Sequence, residues 1–166
     1  KKVYDFSKGI RAISSSIRRS IPAFLDSKIH HNNMLSLVIA KIHANIAGYD
    51  AAVMLDERGF VAELNDTNLF MLKGDTVYTP FAHACLPGIT RQTFINLLEE
   101  NNMKIKERDL SLVEFINADL VFATGTNGEI TPVTEMDGRE IKCNMKFLEK
   151  IKNLFESKLP SLCEPL

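Results

Sequence analysis

Short apolar runs separated by glycine-containing turns occupy the middle of this chain of 166 residues. One pair of runs covers residues 51–63 and reverses at Glu57-Arg58-Gly59, and a second covers 69–79 and reverses at Gly74-Asp75. Glycine lacks a Cβ and permits tight reversals, and short apolar segments joined in this way are typical of antiparallel hairpins. Two hairpins are therefore predicted, and the rest of the fold has to complete their sheet.

Helices and further strands are predicted around the hairpins. Apolar residues recur at helical spacing over 31–47, which predicts an amphipathic helix that ends at Gly48. Its apolar stripe consists of Leu35, Val38, Ile39, Ile42 and Ile46. The other predicted helices are 90–101, 112–117 and 145–158, and the other predicted strands are 9–19, 104–109, 120–123 and 129–134. This mixed order, with hairpins dominating, predicts one domain over 1–166 of the α+β class.

Charge and hydropathy exclude several classes of partner. Twenty basic and twenty-one acidic residues leave a net charge of -1, so no general field draws the chain to nucleic acid or to an anionic membrane. The longest apolar runs, such as 35–40, are far shorter than the roughly 20 residues that a membrane-spanning helix needs. Any anion that this chain binds must therefore be held by local groups.

The cysteines and histidines predict neither a metal site nor a disulfide framework. Cys85, Cys143 and Cys163 are odd in number, widely spaced and without a C-x-x-C pattern, so we expect ordinary thiols in a reducing cytoplasm. The four histidines lack the helical i, i+4 spacing of a metal-binding pair. No metal ligand is assigned.

Two segments have the composition of an anion-binding turn. Gly88-Ile89-Thr90-Arg91 opens a predicted helix, where unpaired backbone N–H groups and the helix dipole favour an anion. Gly125-Thr126-Asn127-Gly128 follows a predicted buried strand, and its glycines can turn consecutive N–H groups toward one ligand. A helix start without a ligand and an ordinary strand-to-strand turn explain the same residues.

Glu63 is the acidic residue whose position is hardest to explain by folding alone. It lies in a predicted strand among apolar neighbours, where a lone buried carboxylate is costly. The residue therefore needs a cationic partner or contact with solvent. An outward-facing strand position is the simpler alternative.

Together, these segments resemble one known family. Lys28, Glu63 followed by Asn68-Leu69-Phe70, the string 86–91 and the string 125–133 occur in the order and approximate spacing of fold-type IV pyridoxal-phosphate enzymes. The chain most closely resembles the branched-chain amino acid aminotransferases, over about residues 9–155. The resemblance implies the C-terminal, cofactor-binding domain of the D-amino acid aminotransferase-like fold, a hairpin-rich sheet or barrel core with flanking helices.

The resemblance also implies a role for each site residue. Lys28 forms the internal aldimine with pyridoxal 5'-phosphate and later moves the substrate's α proton, whereas Lys41 lies on a solvated flank of its predicted helix. Glu63 faces the pyridine nitrogen of the cofactor. Residues Gly88, Ile89, Thr90, Gly125 and Thr126 hold the phosphate, and the amides of Thr126 and Asn127 contact the substrate carboxylate. Asn127-Gly128 replaces a pair of alanines that is usual in the family.

The implied reaction is transamination between a branched-chain, hydrophobic L-amino acid and 2-oxoglutarate. Family members are nearly twice as long as this chain, and their N-terminal domain supplies an arginine to the phosphate. The resemblance therefore implies one half of a longer, two-domain enzyme that forms a homodimer. A D-amino acid transaminase, an aminodeoxychorismate lyase of the same fold, and a non-catalytic fragment are the alternatives.

Overall fold

The structure, a computed structural model, describes residues 8–126 and 129–162. Within these residues, nine strands form one sheet and four helices pack on it. The strands are β1 (Ile10–Arg18), β2 (Ala51–Leu55), β3 (Val61–Leu64), β4 (Asn68–Lys73), β5 (Thr76–Thr79), β6 (Lys104–Glu107), β7 (Leu120–Gly125), β8 (Glu129–Met136) and β9 (Arg139–Glu140). The helices are α1 (Leu35–Ile46), α2 (Ile89–Glu100), α3 (Leu112–Ile116) and α4 (Met145–Leu162).

The sheet is mixed, with the order β3-β2-β1-β8-β7-β4-β5-β6 and β9 paired to β8. Both predicted hairpins are present, as the antiparallel pairs β2–β3 and β4–β5. The N-terminal strand β1 is parallel to both of its neighbours, β2 and β8, and therefore joins the first hairpin to the rest of the sheet. Helices packed on a mainly antiparallel sheet confirm the predicted α+β class.

The two faces of the central strands bury different clusters. On one face, Phe70 of β4 stacks on Phe122 of β7 with ring centroids 5.3 Å apart, and Phe94 of α2 meets Phe70 edge-on at 5.2 Å. Helix α4 adds Ile151 to this cluster. On the other face, alternate residues of the same strands pack around Phe115 of α3. Helix α2 is thus anchored by its apolar side, which fixes the position of its N-terminus.

Helix α1 was predicted correctly as a helix, but its buried face was not. The apolar stripe points outward, with Leu35 65% and Ile46 80% exposed, whereas Leu37, Ala40 and Ala44 pack against the sheet. Alanine allows the helix backbone to approach the sheet closely, so the small residues take the inner positions. Periodicity identified the helix, but both of its faces contain apolar residues. Most of the large apolar side chains lie on the outer face, and Leu37 lies on the inner face.

No helix in the described parts of the chain combines the length and the apolar character that crossing a bilayer requires.

Candidate functional site

A cleft of about 540 Å³ lies where the start of α2 meets the ends of β3 and β7 and the segment that leads into α1. Every predicted site residue that the structure describes lines it; Asn127 lies outside the described residues. The fold therefore brings together side chains that are widely separated in the sequence. Those residues are Lys28, Glu63, Gly88, Ile89, Thr90, Gly125 and Thr126.

Glu63 is buried at the floor of this cleft. Strand β3 pairs it with Met54 of β2, and only 5% of its surface is exposed, so the outward-facing alternative is wrong. Its Oε1 lies 2.9 Å from Nε of Arg19, which is equally buried. Burial raises the pKa of Glu63 to about 8, and the positive charge of Arg19 opposes that rise. The carboxyl group therefore titrates near neutral pH and has the cationic partner that its position requires.

The first turn of α2 presents an uncapped helix N-terminus to the cleft. Gly88 is the N-cap residue, no side chain caps the helix, and the first turn contains no acidic residue. A Cβ at Gly88 would lie 2.4 Å from Oδ1 of Asn68. Only glycine, which has no Cβ, therefore allows the backbone to lie this close to the Asn68 side chain. The first N–H groups of a helix lack acceptors within the helix, which makes this end a site for an anion.

The end of β7 provides a second set of donors. A Cβ at Gly125 would lie 2.8 Å from Cγ2 of Thr67, so the close packing there requires glycine. Among the described residues, the buried hydroxyl of Thr124 has no hydrogen-bond partner. Thr124 pairs with Asn68 across β4 and β7, directly beside the start of α2. The two turns thus supply backbone and hydroxyl donors to one small volume, as a phosphate requires.

Lys28 occupies the open side of the cleft. Its side chain is 47% exposed, and Nζ lies 3.8 Å from Oδ2 of Asp26. The other candidate, Lys41, donates to the backbone carbonyl of Asp50 and does not line the cleft. Among the lysines of residues 8–126 and 129–162, Lys28 is therefore the one that lines this cleft.

The match to a family model decides the family. The model described as "Amino-transferase class IV" matches residues 2–136, which is most of the chain. The chain belongs to the class IV aminotransferase family.

Two relatives and one solved structure show how this member of the class IV aminotransferase family compares with known proteins. The chain is 52% identical over 139 residues to branched-chain-amino-acid aminotransferase-like protein 2 of Arabidopsis thaliana, covering 84% of the chain and 25% of that protein. It is 40% identical over 153 residues to a putative branched-chain-amino-acid aminotransferase of Methanocaldococcus jannaschii, covering 88% and 53%. The branched-chain aminotransferase of the thermophilic archaeon Thermoproteus uzoniensis, solved with norvaline, superposes with a TM-score of 0.91 at 29% identity, covering 97% and 54%.

These similarities confirm the predicted resemblance and the fold-type IV architecture of the class IV aminotransferase domain. They also show that the chain spans about half the length of the archaeal relative and of the solved structure, and a quarter of the plant relative.

Sequence reasoning assigned no role in the site to three polar residues. Arg19 pairs with Glu63, Asn68 separates Glu63 from the start of α2, and Thr124 carries the unpartnered hydroxyl. A signal for Arg19 existed, because a buried Glu63 requires a cation and two arginines end the first predicted strand. Within 8–126 and 129–162, no group of three His, Cys, Asp or Glu side chains is arranged to hold a metal ion.

Proposed function

We propose that this chain is the cofactor-binding part of a pyridoxal 5'-phosphate-dependent aminotransferase that exchanges the amino group of a branched-chain L-amino acid with 2-oxoglutarate. The observation that carries the proposal is the single cleft that contains Lys28, the buried Glu63 and two donor-rich turns. Another solved branched-chain amino acid aminotransferase is complexed with N-(5'-phosphopyridoxyl)-L-glutamate, and glutamate is the amino form of 2-oxoglutarate. The names of the relatives favour this activity over the D-amino acid transaminase and lyase alternatives.

The two turns are proposed to hold the phosphate. The backbone amides of Ile89 and Thr90 follow the N-cap Gly88 at the positive end of a 12-residue helix, and the hydroxyl of Thr90 adds a donor. Gly125 and Thr126 form the opposite side. Backbone donors and a helix dipole explain how a chain with a net charge of -1 holds a dianion without a basic patch.

Glu63 is proposed to accept a hydrogen bond from the protonated ring nitrogen of the cofactor. Arg19 contacts Oε1 of Glu63, and Nδ2 of Asn68 lies 3.5 Å from Oε2. A carboxylate can accept about four hydrogen bonds, so Glu63 retains the capacity to accept one more from a ligand. When bound, the cofactor supplies a protonated ring that accepts electron density from the substrate's α carbon. An ionised Glu63 keeps that ring protonated.

Lys28 is proposed to supply the amine that reacts with the cofactor aldehyde and then transfers the proton at the substrate's α carbon. Both tasks require a side chain that can move, and the exposed Lys28 meets this requirement. The amides of Thr126 and Asn127 are proposed to hold the substrate carboxylate. For Asn127 this role rests on the resemblance alone.

A longer two-domain protein is proposed as the functional unit, and a homodimer as its oligomeric state. The resemblance supports both, because the N-terminal domain of the family supplies an arginine to the phosphate and part of the side-chain pocket. The matched lengths of the relatives support the longer chain. The free thiols of Cys85 and Cys143 support the cytoplasm as the proposed compartment.

The proposed function is tested by absorbance spectroscopy of the full-length protein with added pyridoxal 5'-phosphate. Titration with L-leucine and with L-glutamate should each convert the cofactor to its amine form, and 2-oxoglutarate should reverse the change. Conversion by D-alanine instead would identify a D-amino acid transaminase. Cofactor binding without conversion by any amino acid would identify a non-catalytic protein.

A further inference from the structure

We propose that Arg19 is a positioning residue for Glu63: its positive charge favours the ionised form of the Glu63 carboxyl group inside the cleft and fixes it relative to the phosphate-binding start of α2. This inference rests on the proposed function, because it assigns Arg19 a part in the same reaction. Arg19 does not line the cleft and acts through Glu63.

The guanidinium of Arg19 is held by two separate elements. The backbone N–H of Arg19 donates to the carbonyl of Leu55 at 2.9 Å, which extends the pairing of β1 with β2. Its Nε donates to the carbonyl of Ala84 at 3.0 Å and lies 2.9 Å from Oε1 of Glu63. Both charged side chains are only 7% exposed. Solvent screens a surface ion pair, which therefore contributes little to stability, but it does not screen this buried pair in the same way. Removing one partner leaves the other charge buried and unpaired.

The segment that leads into α2 is tied to the same pair. The carbonyl of Ala84 accepts from Arg19, and the backbone N–H of Leu86 donates to the carboxylate of Glu63. The carbonyl of Leu86 accepts from Nδ2 of Asn68 at 3.0 Å. Leu86 lies two residues before Gly88, the N-cap of α2. Arg19 and Glu63 therefore determine together where the nitrogen-binding and phosphate-binding ends of the cleft lie relative to each other.

Arg19 is the cation that favours the ionised form of Glu63. Asp66 faces Glu63 from the turn after β3 and opposes ionisation, as burial does. Cys85 faces it from the segment before α2, where burial raises the thiol pKa to about 12 and keeps the thiol neutral. Arg91 and Glu107, which also act on Cys85, pair with each other. Without Arg19, burial and Asp66 would raise the pKa of Glu63 further, so that less of the carboxyl group would be ionised at neutral pH to accept the ring N–H.

The test compares Arg19→Met with Arg19→Lys in the full-length enzyme. Rates of the half-reaction with L-leucine are measured by stopped flow across pH, together with the affinity for pyridoxal 5'-phosphate. We expect Arg19→Met to move the acidic limb of the rate profile up by about one pH unit or more, so that activity recovers partly in alkali. Arg19→Lys retains a positive charge and should shift the limb less. Arg11→Met, which breaks the exposed pair with Glu135, should leave the profile unchanged.

A second arm removes the carboxylate. On a Glu63→Gln background, Arg19→Met should produce no further pH shift, because the titrating group is gone. A loss of rate in Arg19→Met that is equal at every pH would overturn the proposal and leave Arg19 a purely structural residue. If Arg19→Met does not fold, the neutral variant Arg19→Gln takes its place, and an Arg19→Gln profile that coincides with the wild-type profile overturns the proposal. Failure of the wild-type protein to bind the cofactor would instead contradict the proposed function.

Discussion

At the scale of single residues, the two central side chains of the site differ in how firmly the protein holds them. Glu63 is buried against Arg19, whereas Lys28 reaches the same cleft from an exposed segment before α1. A group that orients a ring has to stay fixed, and a group that reacts with an aldehyde and then moves a proton has to change position. The difference in burial matches these two tasks.

Replacing Lys28 separates cofactor attachment from cofactor binding. Lys28→Ala in the full-length protein should abolish the absorbance band of lysine-bound cofactor and stop transamination, since alanine offers no amine. The cofactor should still bind through the two turns and Glu63, as equilibrium dialysis would measure. Lys41→Ala is the matched control and should retain both properties. Borohydride reduction with peptide mapping provides an independent check, and a label on Lys41 would contradict the assignment.

The raised pKa of Glu63 predicts a pH-dependent stability with a definite sign. The carboxyl group titrates at about 8 in the folded chain and at its ordinary value of 4.5 when unfolded, so the folded state binds more protons between these values. Its contribution to stability is therefore complete below about 4.5 and is lost as pH rises through about 8. Relative to the wild type, Glu63→Gln should gain thermal stability from pH 5 to pH 8.5.

Thermal unfolding followed by circular dichroism measures this difference. Glu135→Gln is the comparison, because Arg11 lowers the pKa of Glu135, and the stability from that pair is lost as pH falls. A stability difference between Glu63→Gln and the wild type that does not change with pH would show that Glu63 does not titrate in this range.

At the scale of elements, local sequence signals were sufficient where the structure is local. Both hairpins, α2 and its glycine N-cap follow from turn residues and periodicity within a few positions. The parallel pairing of β1 with β2 and β8 and the contact between Arg19 and Glu63 join distant segments, and no local pattern encodes them. The inner face of α1 was mispredicted because two of its three buried residues, Ala40 and Ala44, are alanines, which carry little apolar signal. The described residues that the resemblance selected line one cleft, and Arg19 was not among them.

The start of α2 can be tested with one added methyl group. Gly88→Ala places a Cβ 2.4 Å from Oδ1 of Asn68, whose amide is held by the carbonyl of Leu86, so the turn or Asn68 has to shift. We expect the affinity for pyridoxal 5'-phosphate to fall by about tenfold or more, because displaced donors no longer match the phosphate. Fluorescence titration measures this. In the Asn68→Ala background, Gly88→Ala should have a smaller effect; an equal effect in both would show that the clash is not the cause.

At the scale of the whole molecule, the outer face of α1 is an apolar surface without a partner among the described residues. Leu35, Val38, Ile42 and Ile46 are each at least 48% exposed and lie along one side of the helix. Contiguous apolar surface of this kind favours association in water. The 166-residue chain should therefore self-associate as its concentration rises.

Val38→Lys combined with Ile42→Lys should shift the chain toward the monomer in sedimentation velocity runs, because buried lysine ammonium groups are costly. Asn45→Lys, on an exposed but polar position of the same helix, is the matched control and should leave association unchanged. Monomeric wild-type chain at all accessible concentrations would contradict the prediction.

The parallel placement of β1 between β2 and β8 also determines when the site can exist during folding. The hairpins close over short loops and can form early, but β1 has to find β8 from the opposite end of the chain, and contacts between such distant segments form slowly. Arg19 directly follows β1 and bonds to Leu55 of β2, so Glu63 acquires its counter-ion only after β1 has paired with β2. Until then, the Glu63 carboxyl group of β3 has no buried arginine beside it. The ion pair between Arg19 and Glu63 is therefore present in the finished sheet and absent from precursors in which β1 is unpaired.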